Sequence, residues 1–511
     1  MHSAVRRCPL ARLLLAALLL AAASSTRAQT AEAIRAEVED ARGLAQPGLV
    51  YTFYHAHAYA PAWLRDGRPR PTAAALLAAL RESGRHGLDP DAYGATDLAR
   101  RLGAVAPRSR LDASRLAALD VRLTDAFLQH AAHRLHGRVR PAAVHPGWTL
   151  PSRSADLSAV LEDALASGDV EAVLGTLDPA HAEYARLRDA LARYRRLAEH
   201  GGWPALPDGP TLRHGDAGPR VALLRRRLHV TGDLPAPVPS DRFDDDLDAA
   251  VRTFQRRHGL DADGVAGPKT RRALNETAEA RIRQIMRTME RWRWLPSTLG
   301  PRYLLVNLAG YSLVVVEGDA PVLSMRVIVG TRKNRTPVFS TRLTEVVLAP
   351  YWNVPQSIAR GEILPRLADD PGYLARNHIR RLPGGRLRQD PGPANPLGRV
   401  KFTIANPYGI GLHDTPARAL FGRAERAFSH GCIRLEAPLA LARYVLRADA
   451  AWTSARLEET IARWTETRVP APEPLPVHVL YWTAWTDSDG VVHFREDGYG
   501  YDARLARLLG E

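Results

Sequence analysis

Tyr303-Leu304-Leu305-Val306-Asn307-Leu308, Tyr311-Ser312-Leu313-Val314-Val315-Val316 and Val322-Leu323-Ser324-Met325-Arg326-Val327-Ile328-Val329 are three β-branched or alternating runs, parted only by Ala309-Gly310 and Gly318-Asp319-Ala320. Apolar residues at every second place line one side of an extended chain, and short Gly-containing links fold such runs back, so an antiparallel meander is expected. Glu345 to Leu348, Val400 to Ile404 and Gly409 to Leu412 are further strand candidates. Residues 301–470 are therefore expected to form a mainly β domain. Within it, about 350–399 is a polar, Pro- and Gly-rich insert, running from Tyr351-Trp352-Asn353-Val354-Pro355 through Pro383-Gly384-Gly385 to Pro391-Gly392-Pro393. An insert of that length inside a compact domain is usually a functional lid, and a cap is expected here. Residues 471–511 are expected to pack on this domain or on the helical region upstream of it.

Upstream of the meander the period changes to that of a helix. A connector, 277–300, carries a helix from about Thr277 to Trp292 with Ile282, Ile285, Met286 and Met289 on one face. Residues 209–276 read as a small helical module, with Val221 to Leu228, a Pro-rich link (Pro235, Pro237, Pro239), a second helix ending in Phe254-Gln255, and the turn Asp263-Gly264-Val265-Ala266-Gly267-Pro268-Lys269-Thr270. Residues 29–208 are dominated by Ala, Leu and Arg at helical spacing, as in Ala73 to Leu80 and Leu119 to Leu135, and are expected to form a helical scaffold. His130, His133 and His136 lie at helical spacing there, but no matching carboxylate or Cys makes them a metal set.

At 511 residues, 45% hydrophobic and 24% charged, the chain is ordinary globular protein of about three domains. Its net charge of +15 is carried by Arg, with Lys only at Lys269, Lys333 and Lys401. No basic run interleaved with aromatics is present, so no nucleic-acid partner is expected. Arg6, Arg7 and Arg12 precede an apolar run from Leu13 to Ala23, and Thr26-Arg27-Ala28 follows. Residues 1–28 thus read as a signal peptide cleaved after Ala28, which would export the mature chain and discard Cys8. The lesser alternative is an uncleaved anchor.

One cysteine then remains, in Phe428-Ser429-His430-Gly431-Cys432-Ile433-Arg434-Leu435, downstream of Leu412-His413-Asp414-Thr415-Pro416. A lone exported thiol is either a small buried hydrophobe or a nucleophile, and a nucleophilic Cys needs a nearby imidazole. His413, at the end of a predicted strand, is favoured as the base over His430, only two residues from the thiol. Gly431 allows close backbone approach, and the amides around Gly431 and Cys432 are candidates for an oxyanion hole. A zinc site from His413, His430 and Cys432 lacks a known ligand spacing, and no metal is expected.

His413-Asp414, fourteen intervening residues and then Ser429-His430-Gly431-Cys432-Ile433-Arg434 resemble the catalytic motif of the L,D-transpeptidases, with Asp414 in place of the usual Gly. Tyr351-Trp352-Asn353-Val354-Pro355, Leu397-Gly398-Arg399-Val400-Lys401-Phe402 and Tyr481-Trp482-Thr483-Ala484-Trp485 resemble the large, scaffold-bearing subfamily, and 209–276 resembles a three-helix peptidoglycan-binding domain. The resemblance implies a multidomain α+β protein: a YkuD-type catalytic domain with an inserted cap, a helical scaffold and the small binding domain. It implies an enzyme that needs no cofactor and acts on peptidoglycan. Cys432 would attack the third residue of a tetrapeptide stem, His413 would carry the proton, the Asp414 carbonyl would orient the imidazole and the Gly431 amide would serve the oxyanion hole. Ser429, His430, Arg434, Trp352 and Asn353 would bind substrate. A 3→3 cross-link, periplasmic location, covalent capture by carbapenems, and membrane-associated wall-synthesis partners are implied in the same way. Hydrolysis by the same Cys, transfer to free D-amino acids or a lipoprotein, and a non-catalytic wall-binding protein stay open as alternatives.

Overall fold

The computed structural model describes residues 28–105, 112–235, 239–318 and 320–511, so the expected signal peptide and Cys8 lie outside the described residues. No helix among the described residues is long and apolar enough to cross a membrane. The chain divides into two compact units. One comprises the residues up to Arg138 with Ser152–Ala180 and Trp292–Trp294, and the other Val139–Pro151, His181–Arg291 and Leu295–Glu511.

The first unit is helical. Its central helix, Ala113–His136, begins on an Asp112 side chain that accepts from the Ser114 and Arg115 amides, a helix cap. Leu119, Leu123, Phe127, Ala131 and Leu135 bury its apolar face. Asp120, fully buried, accepts from the Ala62, Trp63 and Leu64 amides at 2.8, 2.9 and 3.0 Å and from the Tyr54 hydroxyl at 2.6 Å. These four donors offset part of the cost of taking the carboxylate out of water, burial still raising its pKa, and they fix an irregular loop that no periodicity specifies. His130 packs beside the Tyr93 ring and His133 Nδ1 lies 3.0 Å from the Tyr93 hydroxyl, so both serve packing.

In the second unit, helices Pro219–Val230, Asp245–Arg257 and Pro268–Asn275 enclose a core of Leu224, Leu228, Leu247, Val251, Phe254 and Leu274. The Phe-Gln and Asp-Gly-x-x-Gly-x-x-Thr signature is one hydrogen-bonded device. The Gln255 carboxamide accepts from the Gly264 amide and donates to Asp263 Oδ1, the Val265 carbonyl and Thr270 Oγ1. Gly264 is required there: its φ is +75° and a Cβ would sit 2.0 Å from Asp248 Oδ1. The helix Ala182–Glu199, grouped with the scaffold by its sequence pattern, belongs to this unit, where Glu183 accepts from the Thr486 amide and hydroxyl.

The large sheet has nine strands: β1 (Arg302–Asn307), β2 (Ser312–Glu317), β3 (Ala320–Gly330), β4 (Phe339–Leu348), β5 (Val400–Ile404), β6 (Leu412–His413), β7 (Ala427–Ser429), β8 (Ile433–Leu435) and β9 (Thr467–Leu480). The expected meander is β1, β2 and β3, antiparallel in sequence order. Spatial order is β7-β3-β8-β6-β5-β4-β9-β1-β2, and a further β2–β3 pairing closes the sheet into a ring with β7 alongside. Leu304, Val306, Leu313, Val315, Val346, Phe402, Leu412, Ile433 and Val477 fill its core. Strand β9, interior between β4 and β1, overrides the expectation that residues after 470 only pack against the domain. Its prolines hid it, and the register breaks between Pro470 and Leu475, where they crowd.

The insert is a structured cap. Trp352–Asn353, Leu387–Gln389 and Ile379–Arg381 form a three-stranded sheet in that spatial order. Val354, Ile363, Ile379 and Leu387 make a small apolar core beneath it.

Candidate active site

β6 lies between β5 and β8, antiparallel to the first and parallel to the second, with His413 opposite Lys401 and Arg434 respectively. Leu412, Ile433 and Leu435 point into the core and are fully buried. Side chains two apart in an extended chain share a face, so Cys432, just before β8, and Arg434 project on the same side as His413. Neighbouring strands sit about 4.8 Å apart, which brings thiol, imidazole and guanidinium into one constellation. The thiol is half-buried and reduced.

His413 is 5% exposed. Its Nδ1 lies 2.5 Å from the Asp414 carbonyl oxygen. A carbonyl can only accept, so Nδ1 carries the proton and Nε2 keeps its lone pair. Burial pushes the imidazole pKa down to about 4, the Asp414 carbonyl opposes this, and the Arg434 and Lys401 charges lower it further. The ring is a neutral base at pH 7.

The Asp414 carboxylate braces the end of β6. It accepts from the Arg399 amide at 2.9 Å and lies 3.4 Å from Arg418. Space for it comes from Gly398, whose φ is +62° and whose added Cβ would meet Asp414 Cγ at 2.5 Å. Asp414 thereby ties the end of the cap insert to the strand that carries the base.

The turn before the nucleophile is braced from three sides. Ser429 Oγ accepts from the Gly431 amide at 3.0 Å and donates to the Cys432 carbonyl at 2.5 Å. Thr336 Oγ1, buried, donates to the Gly431 carbonyl at 2.7 Å and accepts from the Gly330 amide at 2.9 Å. The Tyr499 hydroxyl accepts from the Thr336 amide and donates to the Gly330 carbonyl. Gly431 has φ +119°, and a Cβ there would press on Ile410 at 3.0 Å. The Gly431 amide, expected as an oxyanion donor, is thus given to Ser429. Among the described residues nothing accepts from the Cys432 amide, and that N–H is the open donor at the nucleophile. Thr336 and Tyr499 escaped sequence reasoning because nothing local marks them; they meet Gly431 only through the folded sheet.

Arg434 is half-buried, its Nε is shut from solvent without a hydrogen bond, and no carboxylate pairs with it among the described residues. Burial lowers its pKa, and Cys432 acts in the opposite sense. It is an uncommitted cation beside the thiol. His430 points to the cap, its Nε2 2.7 Å from Glu362 Oε1, so it does not serve the thiol in this arrangement. Trp352 packs on the cap core and Asn353 is exposed; no hydrogen bond or ring contact among the described residues joins either to Cys432 or His413. No group of three or more His, Cys, Asp or Glu among the described residues is arranged to hold a metal ion.

A cysteine on the same sheet face as a neutral base one strand away, with an open backbone amide and a guanidinium that no carboxylate pairs among the described residues, is equipped for nucleophilic acyl transfer. Residues 301–469 match the family model of the L,D-transpeptidase catalytic domain, YkuD. They form an L,D-transpeptidase catalytic domain. Residues 48–191 match the "Scaffold domain" and 217–274 the "Putative peptidoglycan binding domain". The chain is similar to the "Putative L,D-transpeptidase" of Haemophilus influenzae, 34% identical over 222 residues, which are 40% of this chain and 45% of that protein. It is also similar to the N-acetylmuramoyl-L-alanine amidase CwlM of Mycobacterium tuberculosis, 38% identical over 84 residues, 15% of this chain and 21% of that one. The chain thus spans less than half the length of either curated relative. Among solved structures, an L,D-transpeptidase of Stackebrandtia nassauensis aligns at 15% identity and a TM-score of 0.23, over 54% of this chain and 96% of that chain.

In the transpeptidase domain, Ser429→Ala removes the acceptor for Gly431 N–H and the donor to Cys432 O. The expected result is a kcat/KM lower by about 10- to 100-fold with about 1–2 kcal/mol of lost stability. Steady-state kinetics and thermal melts check it, with Ser429→Thr restoring most of the activity.

Proposed function

We propose that the protein is an exported peptidoglycan L,D-transpeptidase that forms 3→3 cross-links through an acyl-enzyme on Cys432. The observation that carries this reading is the neutral imidazole, held by its Nδ1–H so that Nε2 is bare, on the same sheet face as the thiol and one strand away. His413 Nε2 takes the Cys432 proton as sulfur attacks the carbonyl of the third stem residue. The bond to the terminal D-Ala breaks, and the imidazolium returns the proton to the departing amine. The side-chain amine of a diamino acid on a second stem then attacks the thioester, Nε2 takes its proton, and Cys432 leaves as the thiolate and is reprotonated by the imidazolium. The open Cys432 amide and Arg434 face the charge that develops on the carbonyl oxygen and the carboxylates of the stem.

Reaction of the purified protein with disaccharide tetrapeptide, followed by mass analysis, tests this. Cross-linked dimers with loss of one D-Ala are expected; tripeptide alone would identify a hydrolase, and unchanged substrate a binding protein. Periplasmic export follows from the reading of residues 1–28, and a mature N-terminus at Gln29 in the secreted protein is the corresponding expectation.

A further inference from the structure

A cavity of about 360 Å³, lined by neither His413 nor Cys432, opens between the Gln255–Thr270 part of the binding domain and the transpeptidase domain, with Lys269, Tyr311, Glu425, Arg495 and Glu496 in its wall. Its charges are not paired with one another. Arg495 uses only Nη1, which donates to the Arg257 and Phe494 carbonyls, and its Nε and Nη2 make no hydrogen bond among the described residues. The guanidinium stacks on Trp485 at 4.7 Å and crosses directly over Gly259, where a Cβ would meet its Cδ at 2.4 Å. Gly259, at φ +68°, is therefore the residue that lets Arg495 reach the cavity. Glu425 and Glu496 form no ion pair among the described residues, and the Tyr311 hydroxyl no hydrogen bond. Two of the three guanidinium nitrogens thus remain without an acceptor in a partly buried wall, and the site is complementary to a ligand that supplies one.

We infer that this cavity is a second peptide-stem site, which takes a short peptide bearing both a free carboxylate and a free amine. Arg495 and the Tyr311 hydroxyl receive the carboxylate, and Glu425 and Glu496 receive the ammonium. Naming the ligand as a peptidoglycan stem rests on the proposed function; the amphoteric chemistry rests on the cavity. The wall is continuous with the catalytic turn. Asp261 Oδ1 accepts from the Ala424 amide at 3.0 Å, and the next residue, Glu425, lies two before β7 and seven before Cys432. A stem held there would sit on the chain segment that leads into the nucleophile and be kept near the enzyme while the donor site is occupied.

The test uses the full chain with Cys432 first acylated by a carbapenem, so that the donor site is filled. The probe is a free tetrapeptide with a diamino acid at its third position, titrated by calorimetry. Saturable binding is expected, weakened at least about 10-fold by Arg495→Gln and also by Glu425→Gln, with melting temperatures unchanged. Amidation of the peptide's carboxylates should remove the difference between wild type and Arg495→Gln, and acetylation of its amine the difference between wild type and Glu425→Gln. Equal binding by wild type and both variants, no binding at all, or inorganic phosphate competing as strongly as the peptide would each overturn the inference. If Arg495→Gln fails to fold, the exposed Glu425 carries the test. Failure of the carbapenem to add mass at Cys432 would count against the acyl-enzyme reading instead, and the dependence on both residues is then measured on Cys432→Ala.

Discussion

Alanine at position 432 is expected to lower turnover by at least about 10³-fold and to abolish the mass adduct formed by a carbapenem, with no change in melting temperature. No other residue can take over. The only other cysteine in the chain is Cys8, in the segment expected to be removed, and the Ser429 hydroxyl beside the site is committed to Gly431 and to the Cys432 carbonyl. The half-buried Cys432 side chain contributes little to the core, because Ile433 and Leu435 are the core-facing residues of its strand. Dimer formation that survives in the variant would place the nucleophile elsewhere.

Removal of the base has the next largest effect. His413→Ala should cost about 10²- to 10⁴-fold in kcat/KM, while substitution of His430, whose ring pairs with Glu362 of the cap, by Ala should cost far less. The wild-type pH profile carries an independent signature. The folded imidazole has a pKa of about 4, below the value near 6.5 of a free histidine. The competent, unprotonated fraction is therefore nearly complete from neutrality down to about pH 5, and the acid limb of kcat/KM should fall near pH 4. Stability has the same sign: the unfolded chain binds the extra proton between pH 6.5 and 4, so this residue's contribution is full above 6.5 and declines by about 3 kcal/mol as pH drops to 4. An acid limb near 6.5 would mean that the ring is hydrated in the working enzyme.

Much of the domain was legible because its signals are local. Alternation in 303–329 specifies strands whichever partner they find, and Gly-containing links leave antiparallel return as the short route. The Phe-Gln and Asp-Gly-x-x-Gly-x-x-Thr pattern was equally readable, since Gln255 closes its ring of hydrogen bonds within fifteen residues of itself. Strand β9 was not legible. Pro470, Pro472, Pro474 and Pro476 argue against an interior strand, and what overrides them is pairing with β4 on one side and β1 on the other. The cap's own core was hidden in the same way: Val354, Ile363, Ile379 and Leu387 are isolated in a polar stretch and meet only when its three short strands pair.

For the site, the chain alone determined which groups are present: one thiol, two nearby imidazoles, a glycine that permits an unusual backbone angle, and a strand that ends on His413. Choosing between the imidazoles required the parallel register of β6 with β8 and the Glu362 contact that turns His430 toward the cap. The protonation state of His413, the diversion of the Gly431 amide to Ser429 and the lack of a carboxylate partner for Arg434 among the described residues likewise came only from the folded molecule. The physical reason is range. Propensity and periodicity act over a few residues, whereas desolvation, hydrogen-bond occupancy and strand register depend on groups brought together from distant parts of the sequence.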